Sequence, residues 1–206
     1  MADRLTPPPA VDEIRAIPAE IHVLPAGALL WRIHFGAGTH PSRWNGFRSF
    51  GPTGARFDHQ PPPPKRHSTR AILYASESGT TSLAEVFQQT RVIDRHADSP
   101  ALAAFVLTRD LRLLDLTGAW PTRAGASMAV HSGSRATARA WSRAIYAAYP
   151  HVEGLRYASS MNANQPAFAL YERARSSLPM TASLDLPLAT PALAATLAAA
   201  AVHFGY

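Results

Sequence analysis

Two side chains of opposite charge stand out because each lies in an apolar stretch of the chain. Glu85 follows Ala84 and precedes Val86 in a segment that predicts a helix, and Arg32 lies in the apolar run 28–35. Burying a charge costs free energy unless the charge is paired, so each residue needs a specific reason to be there. A fixed carboxylate can stabilise a cationic transition state, and a guanidinium can bind a phosphate through paired hydrogen bonds.

Both residues also have ordinary structural explanations. Arg32 could be an arginine on an edge strand that pairs with a surface acid. Glu85 could be an exposed helix residue if Leu83, Val86 and Phe87 form the buried face without it.

Five more side chains could take part in the same chemistry, and each again has a structural alternative. They are Arg56, Tyr74, His131, Ser132 and Ser159. Tyr74 could be a core residue, and Arg56 and His131 could be loop surface. Ser132 could merely begin a helix, and Ser159 could merely end a strand.

The elements that would position these residues can be read from the hydrophobic pattern. The pattern predicts a short helix near residues 11–16, helices over 81–90 and 134–148, and an Ala-rich helix that begins with Thr190 as its cap and Pro191 in first position. It predicts strands over 28–35, 71–76, 101–108, 111–116, 154–159 and 167–172.

Two segments predict loops. Residues 36–69 are rich in Gly, Pro, Arg and His, and residues 118–133 are loop-like as well. Loops as long as the first are usually functional or mobile. The mixture of strands and few helices predicts an α+β fold with a curved, mixed sheet flanked by helices. We expect an N-terminal arm over 1–20 and a single catalytic domain over 21–206.

Composition excludes several kinds of site. The chain has 206 residues, no cysteine and a formal net charge of +6. The lack of cysteine excludes disulfides, thiolate metal sites and cysteine nucleophiles, and is compatible with a cytoplasmic protein. No apolar run is long enough to span a membrane. The arginines are scattered, so we expect no direct binding of nucleic acid.

Familiar catalytic motifs are missing too. The sequence has no P-loop, no Gly-x-Gly-x-x-Gly before a helix, no Gly-x-Ser-x-Gly and no histidine pair spaced for a helical zinc site. We therefore expect no metal ion and no bound cofactor.

The order and spacing of several short motifs resemble the RES-domain toxins, a family named for an Arg, a Glu and a Ser. The matching segments are Trp-Arg-Ile at 31–33, Gly-Ala-Arg-Phe at 54–57, Leu-Tyr-Ala-Ser at 73–76, Leu-Ala-Glu-Val at 83–86, Ser-Gly-Ser-Arg-Ala at 132–136, Gly-Leu-Arg-Tyr-Ala-Ser at 154–159 and Phe-Ala-Leu-Tyr at 168–171. The chain departs from the family pattern at 54–57, where the family has Gly-Gly-Arg-Trp.

The resemblance implies an ADP-ribosyltransferase-like fold and an enzyme that consumes NAD as its substrate. It assigns Arg32 and Glu85 to the family Arg and Glu, and Tyr74 and Arg56 to an aromatic residue and a second arginine of the site. For the family serine we take Ser132, with Ser134 and Ser159 as competitors. His131 and Ser159 are further candidates for substrate binding.

The chemistry of NAD agrees with these residue types. The nicotinamide of NAD is a cationic leaving group, so cleavage of its bond to ribose needs stabilisation of an oxocarbenium-like cation more than a strong acid. Glu85 could provide this, while Arg32 and Arg56 bind the diphosphate and Tyr74 packs on a ring. Ser132 could bond ribose or phosphate near the start of the helix predicted over 134–148.

The resemblance leaves the reaction type open. It implies a toxin that degrades NAD by hydrolysis or by phosphorolysis, with inorganic phosphate as co-substrate in the second case. It also implies a cognate antitoxin with a helix-turn-helix domain. The alternative is a mono-ADP-ribosyltransferase that modifies a protein, since the same site could serve either reaction.

Overall fold

The computed structural model describes residues 5–206 and has a mixed eight-stranded β-sheet at its centre. In chain order its strands are β1 (Ile21–Leu24), β2 (Leu29–Phe35), β5 (Ile72–Ser76), β6 (Pro100–Val106), β7 (Leu111–Asp115), β8 (Gly154–Ala158), β9 (Pro166–Tyr171) and β10 (Leu184–Pro187). Their spatial order is β1-β7-β8-β9-β5-β2-β6-β10. Strands β7 and β8 are parallel, and the other neighbours are antiparallel.

Helices flank this sheet. They are α1 (Val11–Ala16), α2 (Gly79–Phe87), α3 (Trp120–Arg123), α4 (Ala129–Ser132), α5 (Arg135–Ala148) and α6 (Ala194–Phe204), with 3₁₀ turns over Glu172–Ser177 and Pro191–Leu193. A two-stranded ribbon, β3 (Phe50–Gly51) with β4 (Lys65–Arg66), lies within the long loop segment. The α+β architecture predicted from the sequence is confirmed.

Two helices start where serine side chains cap them. Ser78 Oγ accepts a hydrogen bond from the backbone N–H of Thr81, so α2 begins at Gly79, two residues earlier than the hydrophobic pattern predicts. Ser134 Oγ accepts from the N–H of Thr137 and fixes the start of α5. Thr190 is at the N-cap position with Pro191 first, as predicted, but of a 3₁₀ turn that leads into α6, and its side chain makes no capping hydrogen bond.

The main hydrophobic core lies between α5 and the sheet. Trp120 and Trp141 are completely buried there, with their rings edge to face. The N-terminal segment contributes to the same core, because Ile14 of α1 is fully buried and the Trp141 indole donates to the Thr6 carbonyl. Residues 1–4 of the predicted arm lie outside the described part of the chain.

Several short elements were not predicted. The edge strands β1 and β10 have four residues each, which is too short for an alternating pattern to be distinctive. Segment 118–133, predicted as loop, contains α3 and α4, which are single helical turns of four residues. Within residues 5–206, no helix is both long enough and apolar enough to cross a membrane.

Candidate active site

A cavity of about 760 Å³ opens beside the centre of the sheet. Its wall is formed by β2, β5, α2, the end of β8 and the loops of segment 36–56. Among residues 5–206, Glu85 is the only carboxylate that lines the cavity, against six arginines: Arg32, Arg43, Arg48, Arg56, Arg66 and Arg135. The cavity is therefore suited to a ligand with several negative charges.

Glu85 is held at its place in the cavity by Ser159. The Ser159 hydroxyl donates to Glu85 Oε1 over 2.5 Å. Its oxygen accepts hydrogen bonds from the backbone N–H groups of Met161 and Asn162, at 3.3 and 3.2 Å. Because both of its acceptor positions face these N–H groups, the serine proton points at the carboxylate.

The electrostatic environment of Glu85 has two opposing parts. Burial raises the pKa of the carboxyl above its ordinary value, whereas the hydrogen bond from Ser159 and the charges of Arg56 and Arg135 lower it, and the net shift is upward. Tyr157, which is fully buried nearby, has a pKa raised well above its usual value by burial and by the charge of Glu85. Glu85 is thus a partly desolvated acid with cations within reach.

Two separate pairs of guanidinium groups line the cavity. Arg56 and Arg135 form the pair near Glu85. Burial and the charge of Arg135 lower the pKa of Arg56, and the charge of Glu85 raises it. Arg56 Nη1 donates to the Gly133 carbonyl at 2.7 Å, which ties the loop containing Arg56 to the turn before α5.

The second pair is Arg32 with Arg48. Burial and the charge of Arg48 lower the pKa of Arg32 to about 10, with Asp185 acting in the opposite direction. Arg32 Nη1 donates to the carbonyls of Trp44 and Gly46, but its buried Nε has no partner among residues 5–206. Since β2 lies between β5 and β6, Arg32 is neither on an edge strand nor paired with a surface acid. A buried cation beside a second cation indicates a place for an anion.

A buried acid, Asp58, organises the wall between these two pairs. Its Oδ1 accepts from Arg48 at 2.6 Å and from the Tyr74 hydroxyl at 2.9 Å, and its Oδ2 accepts from the backbone and side chain of Thr53. Burial raises the pKa of Asp58, but Arg48 and Thr53 outweigh this and the net shift is downward. The Tyr74 hydroxyl also accepts from the N–H of Phe57, so its orientation is fixed.

A family model described as the RES domain matches residues 29–189, which is most of the chain. The chain belongs to the RES-domain family. The RES-domain chain also superposes on a chain in the crystal structure of the M. tuberculosis MbcT–MbcA toxin–antitoxin complex, with a TM-score of 0.60, 19% sequence identity, and coverage of 92% of this chain and 96% of that one. A search of curated proteins finds no match to it. At this identity the structural similarity shows a shared fold.

The fold of the RES-domain chain brings most of the sequence-predicted site residues together. Arg32, Arg56, Tyr74, Glu85 and His131 all line the one cavity, and Ser159 touches Glu85 directly.

His131 is in the wall, with both ring nitrogens engaged by the backbone. Its Nε2 lies 2.9 Å from the Leu116 carbonyl, and its Nδ1 accepts from the N–H of Ala158 at 3.3 Å. Burial lowers the pKa of this imidazole, and the carbonyl of Leu116 opposes that shift.

Ser132 does not reach the site. It is the last residue of α4, its side chain is exposed, and it is not part of the cavity wall. The Ser134 side chain is engaged in capping α5. Of the three serines considered from the sequence, Ser159 alone contacts the carboxylate.

Sequence reasoning missed Arg48, Asp58, Arg135 and Tyr157. A signal for Asp58 was available, because it is the only acid in the otherwise basic segment 36–69 and directly follows the Gly-Ala-Arg-Phe motif. A signal for Arg135 was available too, because it is the arginine of the Ser-Gly-Ser-Arg-Ala motif at 132–136, whereas the fold is needed to show that it lines the cavity.

Proposed function

We propose that this protein cleaves the bond between nicotinamide and ribose in NAD. The observation that carries this proposal is the geometry of Glu85, one carboxylate held by Ser159 in a cavity whose wall also contains six arginines. A cavity of about 760 Å³ is within the usual range for a small-molecule site, and its positive charge complements a dinucleotide with a diphosphate.

Glu85 would act by electrostatic stabilisation. When the bond breaks, nicotinamide leaves as a neutral ring with the bonding electron pair, and positive charge develops at the ribose anomeric carbon and ring oxygen. An ionised carboxylate beside that carbon lowers the barrier more in a partly dry cavity than it would in water. The hydrogen bond from Ser159 holds the carboxylate in one orientation, so little reorganisation is needed during the reaction.

The two guanidinium pairs suit the phosphate groups of the substrate. Arg56 and Arg135 lie on the side of Glu85, and Arg32 with Arg48 form a second positive centre, which the pairing of Arg48 with Asp58 offsets only in part. A diphosphate bound between them would neutralise the repulsion within each pair, which is a favourable contribution to binding. The ring of Tyr74, whose hydroxyl is anchored by Asp58, offers a flat surface for nicotinamide or adenine.

In this proposal Ser159 takes the role that the sequence assigned to Ser132. Ser132 remains a surface residue at the end of α4. His131 contributes to the shape of the wall, since its nitrogens are engaged by backbone groups.

The biological role follows from the family. We propose that the protein is a toxin that depletes NAD and is neutralised by a cognate antitoxin, and that this antitoxin has a helix-turn-helix domain. The similarity in fold to a chain of the MbcT–MbcA toxin–antitoxin complex supports a partner of this kind.

An assay of the purified protein with NAD tests the proposal. Loss of NAD with release of nicotinamide is expected, and an unchanged NAD concentration contradicts it. Parallel reactions with and without inorganic phosphate distinguish two products: a phosphorylated ADP-ribose indicates phosphorolysis, and ADP-ribose itself indicates hydrolysis. If NAD labelled in the adenylate part instead labels a protein in a cell extract, the protein is a transferase.

A further inference from the structure

A row of arginines begins at the rim of the cavity and runs along α5 away from it. Arg135, Arg139 and Arg143 are spaced four residues apart and share one face of the helix, and Arg70, which precedes β5, lies close to Arg143. We call these four residues the arginine row. Four residues of an α-helix advance about 6 Å, so the three helix positions extend over about 12 Å.

Only one member of the arginine row, Arg135, lies near a cavity carboxylate, which is Glu85. In residues 5–206, none of its four members forms an ion pair with a carboxylate. Three of them donate to neutral backbone carbonyls of the neighbouring loop: Arg135 to Gly54, Arg139 to Ala55 and Arg70 to His59. These bonds position the side chains but bring no negative charge to them.

The like charges of the row act on one another at Arg143. Burial lowers the pKa of Arg143, and the charges of Arg139 and Arg70 lower it further, with no carboxylate acting in the opposite direction. The acid near this end of the helix is Glu172, and it is already engaged: it accepts from Tyr146 through one oxygen and from His59 and the N–H of Ala71 through the other.

From this surface we infer that the arginine row binds an acidic polypeptide segment of a partner protein. Carboxylates spaced four residues apart on a helix repeat at the same interval of about 6 Å along the axis as the three helix positions of the row. A segment bound there would bring its charges to the members of the row that lack an internal counter-charge. It would also reach the rim of the cavity, because Arg135 belongs both to the row and to the cavity wall.

Nucleic acid fits this surface less well. The aromatic ring at this end of α5, Tyr146, stacks on His59 and lies under the guanidinium groups of Arg173 and Arg70, so its faces are covered and cannot stack on a base. A row of about 12 Å would contact only a few phosphates, which gives weak binding at physiological salt.

The test uses the full chain with a fluorescent oligoglutamate peptide and, separately, a labelled single-stranded oligonucleotide, with binding followed by anisotropy at two salt concentrations. Arg139→Gln with Arg143→Gln removes two charges of the row that do not line the cavity and keeps Arg135. The matched control, Arg112→Gln with Arg175→Gln, removes two exposed charges elsewhere.

We expect salt-sensitive peptide binding that the row variant weakens about tenfold and the control leaves near the parent value. Equal affinity in the two variants, no peptide binding, or tighter binding of the oligonucleotide with the same dependence on the row would each overturn the inference. NAD consumption is measured in parallel without peptide. Normal peptide binding by a protein that leaves NAD intact would refute the proposed enzyme while the inference on this surface stands.

Discussion

Ser159 Oγ lies 2.5 Å from Glu85 Oε1 and joins the end of strand β8 to helix α2. Two elements that are far apart in sequence thus meet at one hydrogen bond inside the cavity. Because the serine oxygen also accepts from two backbone N–H groups, this bond has a defined direction and fixes the carboxylate. This contact is the basis of the first prediction.

Replacing Ser159 with alanine should slow nicotinamide release by about tenfold or more. The change removes the donor that orients Glu85 and leaves the N–H groups of Met161 and Asn162 without the serine oxygen as acceptor. The rate of nicotinamide release at saturating NAD measures the effect. Ser132→Ala is the comparison, and it should retain the parent rate because its side chain is exposed and outside the cavity. A larger loss in Ser132→Ala than in Ser159→Ala would reverse this assignment.

Glu85→Gln should raise the thermal stability of the protein at neutral pH. The pKa of Glu85 is raised in the folded chain, so the ionised form is less favourable there than in the unfolded chain, and this penalty is present above the folded pKa. It disappears as the pH falls below the ordinary value of 4.5.

Melting temperatures at neutral pH and near pH 4 check this, with the exposed Glu77→Gln as the control. If Glu85→Gln has a lower melting temperature than the parent at neutral pH, the ionised carboxylate stabilises the fold. That result would contradict the desolvation penalty assigned to Glu85.

The acid limb of the pH–rate profile should reflect Glu85, because the proposed role requires the ionised carboxylate. Arg135 lowers the pKa of Glu85, so Arg135→Gln should move the midpoint of this limb to higher pH. Arg143→Gln, which removes the same charge outside the cavity wall, should leave the midpoint in place. Identical midpoints in the parent and in Arg135→Gln would mean that another group controls the profile.

The buried ion pair of Asp58 with Arg48 should be important for stability. Asp58→Ala leaves the hydroxyl of Tyr74 without its acceptor and Arg48 without its carboxylate, and the loss of the buried partner of such a pair costs about 3 kcal/mol. Unfolding in urea measures the change. Asp12→Ala, which removes an acid from the exposed pair with Arg15, should cost less than about 0.5 kcal/mol. Equal losses in the two variants would contradict the structural role of Asp58.

The sequence allowed the central elements to be predicted because they are largely apolar or, in α5, clearly amphipathic. Strands β2, β5, β8 and β9 and helix α5 lie within a few residues of their predicted bounds. The edge strands β1 and β10 were missed because four residues cannot show a period. The single turns α3 and α4 were missed for the same reason, and they decide that Ser132 ends a helix on the surface.

Within the site, the sequence indicated which charged residues are special, but it did not indicate which side chains contact one another. A charge among apolar neighbours indicated Arg32 and Glu85, and both line the cavity. The choice among the serines depended on how β8 ends against α2, which is a long-range contact that no local pattern encodes. Likewise, Arg48 became recognisable only through its buried partner Asp58.

The most direct measurement is the rate of nicotinamide release from NAD by the parent protein and by Glu85→Gln, side by side with Glu77→Gln. We predict that Glu85→Gln folds normally and is slower by about a hundredfold or more, because it keeps the shape and loses the charge, while Glu77→Gln matches the parent. A folded Glu85→Gln protein that releases nicotinamide at the parent rate would contradict the central role given to this carboxylate.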